Sequence, residues 1–206
     1  SGDPRYLHSF PTRRSSDLRA KVSPHKISSG TIDPDDYARI TAEAGTIGKA
    51  SIFIDDAPGL TIRELRAKAR RYKAQYNIGL IVIDYIQLME SSSGKQQSEN
   101  RQQEISQISR GLKGIARELN IPIVALSQLN RSVDARDEHR PRMSDLRESG
   151  ALEQDADLIL FLYRDEYYNK DTLKPGIAEV IVAKHRNGPT GSVELYFYKQ
   201  IGRAHV

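Results

Sequence analysis

Four consecutive apolar residues followed by a carboxylate restrict the fold of this chain more than any other stretch. Residues 80–83 are Leu, Ile, Val and Ile, and Asp84 follows them. Such a run is typical of a parallel strand buried on both faces, where an unpaired carboxylate is too costly to bury. We therefore expect Asp84 at the carboxyl end of the strand, where open α/β sheets bind ligands and an Asp can hold Mg²⁺ against phosphates. A carboxylate that caps a turn or a helix remains the alternative interpretation.

The composition is typical of a single-domain soluble protein. The 206 residues are 38% hydrophobic, which is enough for one sizeable core, and the lack of cysteine excludes disulfides and cysteine-ligated zinc. The apolar runs are too short to cross a membrane, so we expect a cytoplasmic protein without membrane partners. The net charge of +4 is mild, so contacts with nucleic acid require local basic patches. The six basic residues within 63–73 form either such a patch or a solvated helix face.

The two ends of the chain differ in character from the rest. Residues 1–18, which include HSFPTRRSSDL, and residues 201–206, IGRAHV, resemble translated sequencing-adapter DNA. Segments of this kind are excluded from reasoning about the fold. We therefore expect a native segment at about 19–200, cut from a longer open reading frame on both sides.

The remaining patterns alternate between helices and strands. The predicted helices are 34–44, 61–76, which opens with a capping box of Thr61 and Glu64, and 105–119. The predicted strands are 52–54, 80–84, 121–126 and 158–163, and a hairpin with arms at 179–183 and 193–198. Residues 91–100 and 133–144 lack periodicity and are predicted to be loops. This order favours an α/β fold with mixed strand pairing at one edge of the sheet.

A nucleotide-hydrolysing site needs a phosphate-binding loop, a metal ligand, a base and positive charge near the transferred phosphate. Asp84 can supply the metal ligand, but no Gly-x-x-x-x-Gly-Lys-Ser/Thr run occurs in the sequence, and Tyr85 stands where a neighbouring carboxylate could act as base. Lys184 and Arg186 can supply positive charge, because alternate residues at the end of a strand project to one side. A solvated cationic hairpin end is the other interpretation of this pair.

Four stretches resemble one known family when they are taken together. They are LIVIDYIQLM (80–89), IPIVALSQLNR (121–131), RPRMSDLRESGALEQDADLILFLYRDEYY (140–168) and KHRNGPTG (184–191). In this order they resemble the carboxyl-terminal RecA-like motor domain of DnaB-type replicative DNA helicases, over nearly all of 19–198. The resemblance implies a RecA-like P-loop NTPase sheet that is mostly parallel and ends in an antiparallel hairpin. It also implies that the Walker A strand and loop are lacking, because in the family they lie upstream of these stretches.

The resemblance implies a function and roles for the nucleotide site. The family forms an ATP-driven homohexameric ring that encircles one DNA strand and unwinds the duplex at the replication fork, with ATP and Mg²⁺ as cofactors. Asp84 resembles the Walker B metal ligand, and Gln128 resembles the residue that senses the γ-phosphate. Lys184 and Arg186 resemble the pair that reaches the neighbouring subunit's ATP, with Arg186 as the arginine finger.

The resemblance also implies partners and leaves alternatives open. Arg147, Glu148 and Gly150 match the loop that follows the backbone of single-stranded DNA, and primase and a helicase loader are expected partners. A RecA-like recombination or repair ATPase and a non-catalytic nucleic-acid-binding module remain alternatives. Because the family's Walker A loop and catalytic Glu are missing, we expect the isolated chain neither to bind ATP tightly nor to hydrolyse it. The missing strand should leave the strand at 121–126 with an unpaired edge.

Overall fold

The computed structural model describes residues 19–89 and 101–197. The chain divides into two compact units: Ala57–Leu195, and the described parts of Ser1–Asp56 and Tyr196–Val206. Among the described helices, none combines the length and the apolarity that a membrane span requires. The predicted loop at 91–100 lies outside the described residues.

Helices of the smaller unit for which the structure gives both ends are α1 (Pro24–Ser28) and α2 (Pro34–Gly48). The Asp33 side chain caps α2 by accepting a hydrogen bond from the Asp36 amide, as the Asp-Pro pair predicts. The predicted end of this helix at Gly45 is wrong, because one glycine inside a helix costs only about 1 kcal/mol and keeps its backbone hydrogen bonds. The predicted strand at 52–54 is also wrong, since these residues pair with no strand in the described part of the chain.

Two long helices supply much of the main core of the larger unit, α3 (Ile62–Tyr76) and α4 (Arg101–Leu119). The predicted capping box opens α3: the Thr61 hydroxyl accepts from the Glu64 amide, and the Glu64 carboxylate accepts from the Thr61 amide at 2.9 Å. The helix ends at Tyr76 and is capped by Asn77, whose φ of 49° is left-handed. The apolar stripe predicted for α4 is buried against α3 and the first sheet, through Ile105, Ile108, Leu112 and Ile115.

A parallel pair of strands forms the first sheet: β1 (Ile81–Ile83) and β2 (Ile123–Ala125). Their register pairs Ile81 with Ile123 and Ile83 with Ala125, and this face packs against the core of α3 and α4. The prediction that β1 is buried on both faces is wrong, because Val82 is 58% exposed. Its run of apolar residues therefore marks a second face that no other part of the described chain covers closely. β2 has a neighbouring strand only on the β1 side, so its other edge is unpaired among the described residues.

The second sheet follows in the order β3 (Leu158–Tyr163), β4 (Ile177–His185) and β5 (Gly191–Tyr196). β3 and β4 are antiparallel, with Leu158 opposite His185 and Tyr163 opposite Glu179. Buried Ile159 forms a second cluster with Leu146 and Phe161. The predicted α/β fold with parallel strands and a terminal hairpin is confirmed, although the two kinds of pairing lie in separate sheets here.

Short helices join these elements. They are the 3-10 turns Ile86–Leu88, Arg131–Val133 and Met143–Ser149, and the α-helices α5 (Gly150–Asp155) and α6 (Asp165–Tyr168). The predicted loop at 133–144 is correct for 134–142, which contain neither helix nor strand. α5 is the short helix that joins the Met143–Ser149 turn to the start of the second sheet, and it organises the candidate site.

Candidate nucleotide and DNA site

The carboxyl edge of the parallel pair carries two of the predicted residues. Asp84 is exposed and directly follows β1, which confirms its predicted position at the strand end. Exposed Gln128 follows β2 after a short link. The Leu126 amide donates to the Ile83 carbonyl at 2.9 Å, and the Ile86 amide donates to the Leu126 carbonyl at 2.9 Å. Because the two strands are parallel and adjacent, Asp84 and Gln128 emerge at the same edge of the sheet.

A side-chain amide from the turn after Asp84 holds the backbone of Gln128. The Gln87 Nε2 donates to the Gln128 carbonyl at 3.2 Å and to the Ser127 hydroxyl at 3.1 Å. In return, the Gln128 amide donates to the Gln87 Oε1 at 3.3 Å. Sequence reasoning missed Gln87, although a polar residue between Ile86 and Leu88 in an otherwise apolar turn was a signal. Gln87 therefore ties the end of β1 to the end of β2.

The one carboxylate described at this edge suits a metal ion that is also bound by a nucleotide better than a free metal ion. Among the described residues, no cluster of three or more His, Cys, Asp or Glu could hold a metal ion. Mg²⁺ commonly takes one or two carboxylates and completes its shell with water and substrate phosphates. A single exposed Asp84 fits that mode of binding.

The second group of predicted residues lies at the carboxyl end of α5. Lys184, near the end of β4, donates from Nζ to the Glu153 carbonyl at 2.5 Å and to the Gln154 carbonyl at 3.3 Å. Arg186 follows β4 and donates from Nη2 to the same Gln154 carbonyl at 3.3 Å. The structure thus brings Lys184 and Arg186 together, and the Arg186 side chain stays 46% exposed. It does not turn into the core of its own chain.

Asp157, directly before β3, binds Arg186 through both its backbone and its side chain. Its carbonyl accepts from the Arg186 amide at 2.9 Å, and its Oδ1 lies 3.1 Å from the Arg186 Nη1. Lys113 of α4 donates to the same Oδ1 at 2.7 Å. This hydrogen bond is the main reason that the pKa of the Asp157 carboxyl lies below its ordinary value, with the charges of Lys113, Arg186 and Arg117 adding to the shift. Sequence reasoning missed Asp157 and Lys113, because they lie far apart in sequence.

A basic cavity of about 310 Å³ opens beside Arg186. Its walls come from α4, α5 and the end of β4, and consist of Arg110, Lys113, Gly114, Arg117, Gln154, Asp155 and Arg186. Asp155 is held by the buried Ser109, whose hydroxyl donates to its Oδ2 at 2.8 Å. Cationic side chains outnumber acidic ones in this lining, so the cavity favours an anionic group.

The predicted DNA-binding residues lie just before this region. Arg147 and Glu148 belong to the 3-10 turn Met143–Ser149, and Gly150 is the first residue of α5. The turn is anchored at its start by buried Asp145, whose Oδ2 accepts from the Arg136 Nη2 and the Arg142 amide, each at 2.7 Å. Helix α5 therefore runs from a predicted DNA contact to the carbonyl groups that bind Lys184 and Arg186.

The two groups of residues predicted for the nucleotide site are separate within one chain. Asp84 and Gln128 lie at the end of the parallel strands, whereas Lys184 and Arg186 contact α5 and the start of β3. No hydrogen bond or ion pair between described residues joins one pair to the other. We call these two groups half-sites, the first consisting of Asp84 and Gln128 and the second of Lys184 and Arg186.

The sequence of the chain matches one family along nearly all of its length. The family is described as the DnaB-like helicase C terminal domain, and the match covers residues 11–205. Among curated proteins, the chain is 50% identical over 182 residues to the replicative DNA helicase DnaB of Geobacillus stearothermophilus, covering 88% of this chain and 40% of that protein. It is 48% identical, with the same coverage, to the replicative DNA helicase DnaC of Bacillus subtilis (strain 168). The chain thus spans about two fifths of these curated relatives.

Solved structures agree with the sequence match. One solved ATPase domain superimposes with a TM-score of 0.87 and 40% sequence identity, over 95% of this chain and 70% of that chain. A DnaB-like replicative helicase described with its interactions with primase gives the same score and identity, over 95% of this chain and 48% of that chain. With its fold shared with these structures and its sequence matched almost from end to end, the chain belongs to the DnaB-like helicase C-terminal domain family and has the RecA-like fold.

Proposed function

We propose that this chain is the carboxyl-terminal motor segment of an ATP-dependent replicative DNA helicase. The full-length protein is a cytoplasmic homohexamer that encircles single-stranded DNA, hydrolyses ATP between its subunits and unwinds the duplex at the replication fork. The relatives carry the name replicative DNA helicase, which favours this function over a recombination or repair ATPase and over a non-catalytic binding module.

The separation of the two half-sites is the main observation that supports ATP hydrolysis between subunits. Asp84 and Gln128 form one exposed edge, and Lys184 and Arg186 form a second group without a hydrogen bond or ion pair to the first among the described residues. In a ring, the second group of one subunit can face the first group of the next. Such an arrangement makes hydrolysis depend on assembly.

Each residue has a role that its chemistry allows. ATP with Mg²⁺ supplies the transferable phosphate and the metal charge that neutralises it. The Asp84 carboxylate would hold the metal, and the Gln128 side-chain amide, on a backbone fixed by Gln87, would hydrogen-bond the γ-phosphate. The Arg186 guanidinium, which stays charged and forks onto phosphate oxygens, stabilises the negative charge of the transition state, with Lys184 beside it.

The DNA contact and the protein partners belong to the same proposal. Arg147, Glu148 and Gly150 follow the DNA backbone, where an Arg and backbone amides bind phosphates without reading the bases. The structural relative described with primase supports primase as a partner of the full-length protein. A helicase loader is the other expected partner.

The isolated chain is expected to lack ATPase activity, because its sequence contains no Walker A run. Both sheets also leave apolar side chains exposed: Val82, Val124, Leu160 and Leu162 are each at least 49% exposed. A strand and helix that carry the phosphate-binding loop would cover such surface. ATP turnover by the isolated chain that disappears in Asp84→Ala would contradict this expectation.

We also propose that the native segment is 19–200. The ends at 1–18 and 201–206 then derive from adapter DNA and contribute nothing to the motor. The coding DNA tests this directly: codons that match adapter sequence at both ends support the boundaries, and codons unlike an adapter refute them.

Rings of mixed subunits test the proposed function. The full-length protein that carries this segment is mixed with its Arg186→Ala variant in increasing fractions, and ATP turnover is measured with single-stranded DNA. If Arg186 serves the neighbouring subunit, each variant subunit inactivates the site next to it although its own Asp84 is intact. Lys170→Ala, which removes an exposed cation outside all of the predicted site residues, is the matched control and should leave turnover unchanged. Turnover that is insensitive to Arg186→Ala would refute the shared site and favour a binding module.

A further inference from the structure

The carboxyl end of α5 gathers three cations from different parts of the fold. The carbonyls of Glu153, Gln154 and Asp155 accept hydrogen bonds from Lys184 and Arg186 at the end of the second sheet and from Lys113 of α4, with Lys113 to Asp155 at 2.7 Å. Carbonyls in the last turn of a helix lack partners within the helix and carry partial negative charge. This helix end therefore forms a cation-binding seat.

Asp157 completes the seat for Arg186. It fixes the Arg186 backbone at 2.9 Å through its carbonyl and lies 3.1 Å from the guanidinium through its carboxylate. Lys113 contacts the same carboxylate oxygen at 2.7 Å and thereby keeps it in place. A flexible arginine side chain is thus held at its base and at its tip by one residue.

The seat leaves donors available on both cations. A guanidinium has five N–H donors and an ammonium group has three. In the described part of the chain, Arg186 contacts Gln154 and Asp157 through one nitrogen each, so three of its donors remain. Lys184 uses two donors on Glu153 and Gln154 and keeps one. Both cations can therefore bind phosphate oxygens without leaving the seat.

We propose that Asp157, held by Lys113, is a positioning residue that orients the guanidinium of Arg186 toward the ATP of the neighbouring subunit. This inference rests on the proposed role of Arg186 as the arginine finger. Asp157 does not touch the nucleotide, and it acts by restricting the directions in which Arg186 can point. Its contribution is to the rate of the phosphoryl-transfer step, where small errors of alignment are costly.

A purely structural role for the ion pair of Asp157 and Arg186 explains these contacts less well than a positioning role does. The Asp157 side chain is 66% exposed, and ion pairs between exposed groups add little to stability. Removal of the Asp157 charge should therefore leave the folded ring intact and disturb the direction of Arg186. Stability and turnover can be measured separately, so the two roles can be distinguished.

The test uses the full-length protein that carries this segment, assembled as a ring with single-stranded DNA. Asp157→Asn keeps the size of the side chain and removes its charge. We expect kcat for ATP to fall by about 10- to 100-fold, KM to change by less than about 3-fold, and the melting temperature to stay within about 2 °C of the wild type. Asp171→Asn, which neutralises an exposed acid away from the seat, is the matched control and should keep wild-type turnover.

The double variant gives the decisive comparison. If Asp157 acts through Arg186, adding Asp157→Asn to Arg186→Ala lowers kcat no further, because the effects of two substitutions that act through the same contact do not add. A further loss in the double variant, or wild-type turnover in Asp157→Asn, overturns the proposal. If Arg186→Ala by itself leaves turnover unchanged, the proposed function of Arg186 fails first, and this inference fails with it.

A second variant keeps the proposal testable if Asp157→Asn prevents assembly. Lys113→Met removes the hydrogen bonds to the Asp157 carboxylate and to the Asp155 carbonyl, and it leaves the two residues that contact the Arg186 side chain, Gln154 and Asp157, unchanged in sequence. We expect kcat to fall as it does in Asp157→Asn, but by a smaller factor. Wild-type kcat in an assembled Lys113→Met ring would contradict the proposal that Lys113 holds Asp157 in place to position Arg186.

Discussion

Replacement of Gln87 should loosen the link between the two strand ends that carry Asp84 and Gln128. Gln87→Met keeps the length of the side chain and removes its three hydrogen bonds to Ser127 and Gln128, which measure 3.1, 3.2 and 3.3 Å. A hydrogen bond contributes about 1 kcal/mol net, and water can replace part of these because the site is half-buried. We therefore expect the free energy of unfolding to fall by about 2 kcal/mol.

This loss has a thermal and a local signature. For a domain of this size, 1 kcal/mol corresponds to about 2–4 °C in melting temperature, so Gln87→Met should melt about 4–8 °C lower. The Gln128 amide, which donates to the Gln87 side chain, should lose protection from hydrogen exchange, whereas the Leu126 amide, bonded to β1, should keep it. ATP turnover of the full-length ring should fall because the Gln128 backbone is no longer fixed.

The matched control is Gln107→Met, which changes a glutamine on α4 far from the two strand ends in sequence. It should alter neither the melting temperature nor the exchange of the Gln128 amide. Equal melting temperatures for Gln87→Met and Gln107→Met, together with unchanged protection of the Gln128 amide, would show that Gln87 does not hold the two strand ends together.

Three further predictions concern the core, the anchorage of α5 and the response to acid. Ile115→Ala, at a side chain with no exposed surface, should cost about 2–5 kcal/mol in a urea unfolding experiment, and a cost below about 1 kcal/mol would contradict the core assignment. Helix α5 joins the predicted DNA contact to the carbonyls that bind Lys184 and Arg186, so we expect it to couple DNA binding to ATP turnover. Ser109→Ala removes the 2.8 Å hydrogen bond to Asp155 at the end of this helix and should weaken the stimulation of ATP turnover by single-stranded DNA; unchanged stimulation would contradict that coupling. Hydrogen bonds from Arg140 hold the pKa of the Glu179 carboxyl below its ordinary value. This pair therefore stabilises the fold above about pH 4–5, and its contribution is lost as the pH falls through the folded-state pKa. Glu179→Gln should flatten the loss of stability between about pH 5 and pH 3, and an unchanged pH profile would contradict this.

Local signals in the sequence predicted local structure well. The capping box of Thr61 and Glu64 and the stripe of α4 depend on residues three or four positions apart, and the structure contains both. The placement of Asp84 after β1 followed from the cost of burying a carboxylate. These features need no knowledge of distant partners.

The sequence predictions that were wrong concern strand pairing and burial, which depend on contacts between distant parts of the chain. A strand at 52–54 needs a pairing partner, and the burial of Val82 needs a covering layer; neither can be read from local pattern. The contacts of Gln87 and Asp157 join residues about 30 to 45 positions apart, so periodicity could not predict them. The roles of Asp84 and Arg186 came from the family resemblance and stay predictions until they are measured.

A structure of the full-length ring with Mg²⁺ and a non-hydrolysable ATP analogue would show whether ATP is bound between two subunits. We expect the Mg²⁺ and phosphates held at Asp84 of one subunit to be contacted by the Arg186 guanidinium of the next, with Arg186 still bound to Asp157. A ring in which Arg186 approaches the nucleotide of its own chain, or lies away from every bound phosphate, would contradict it.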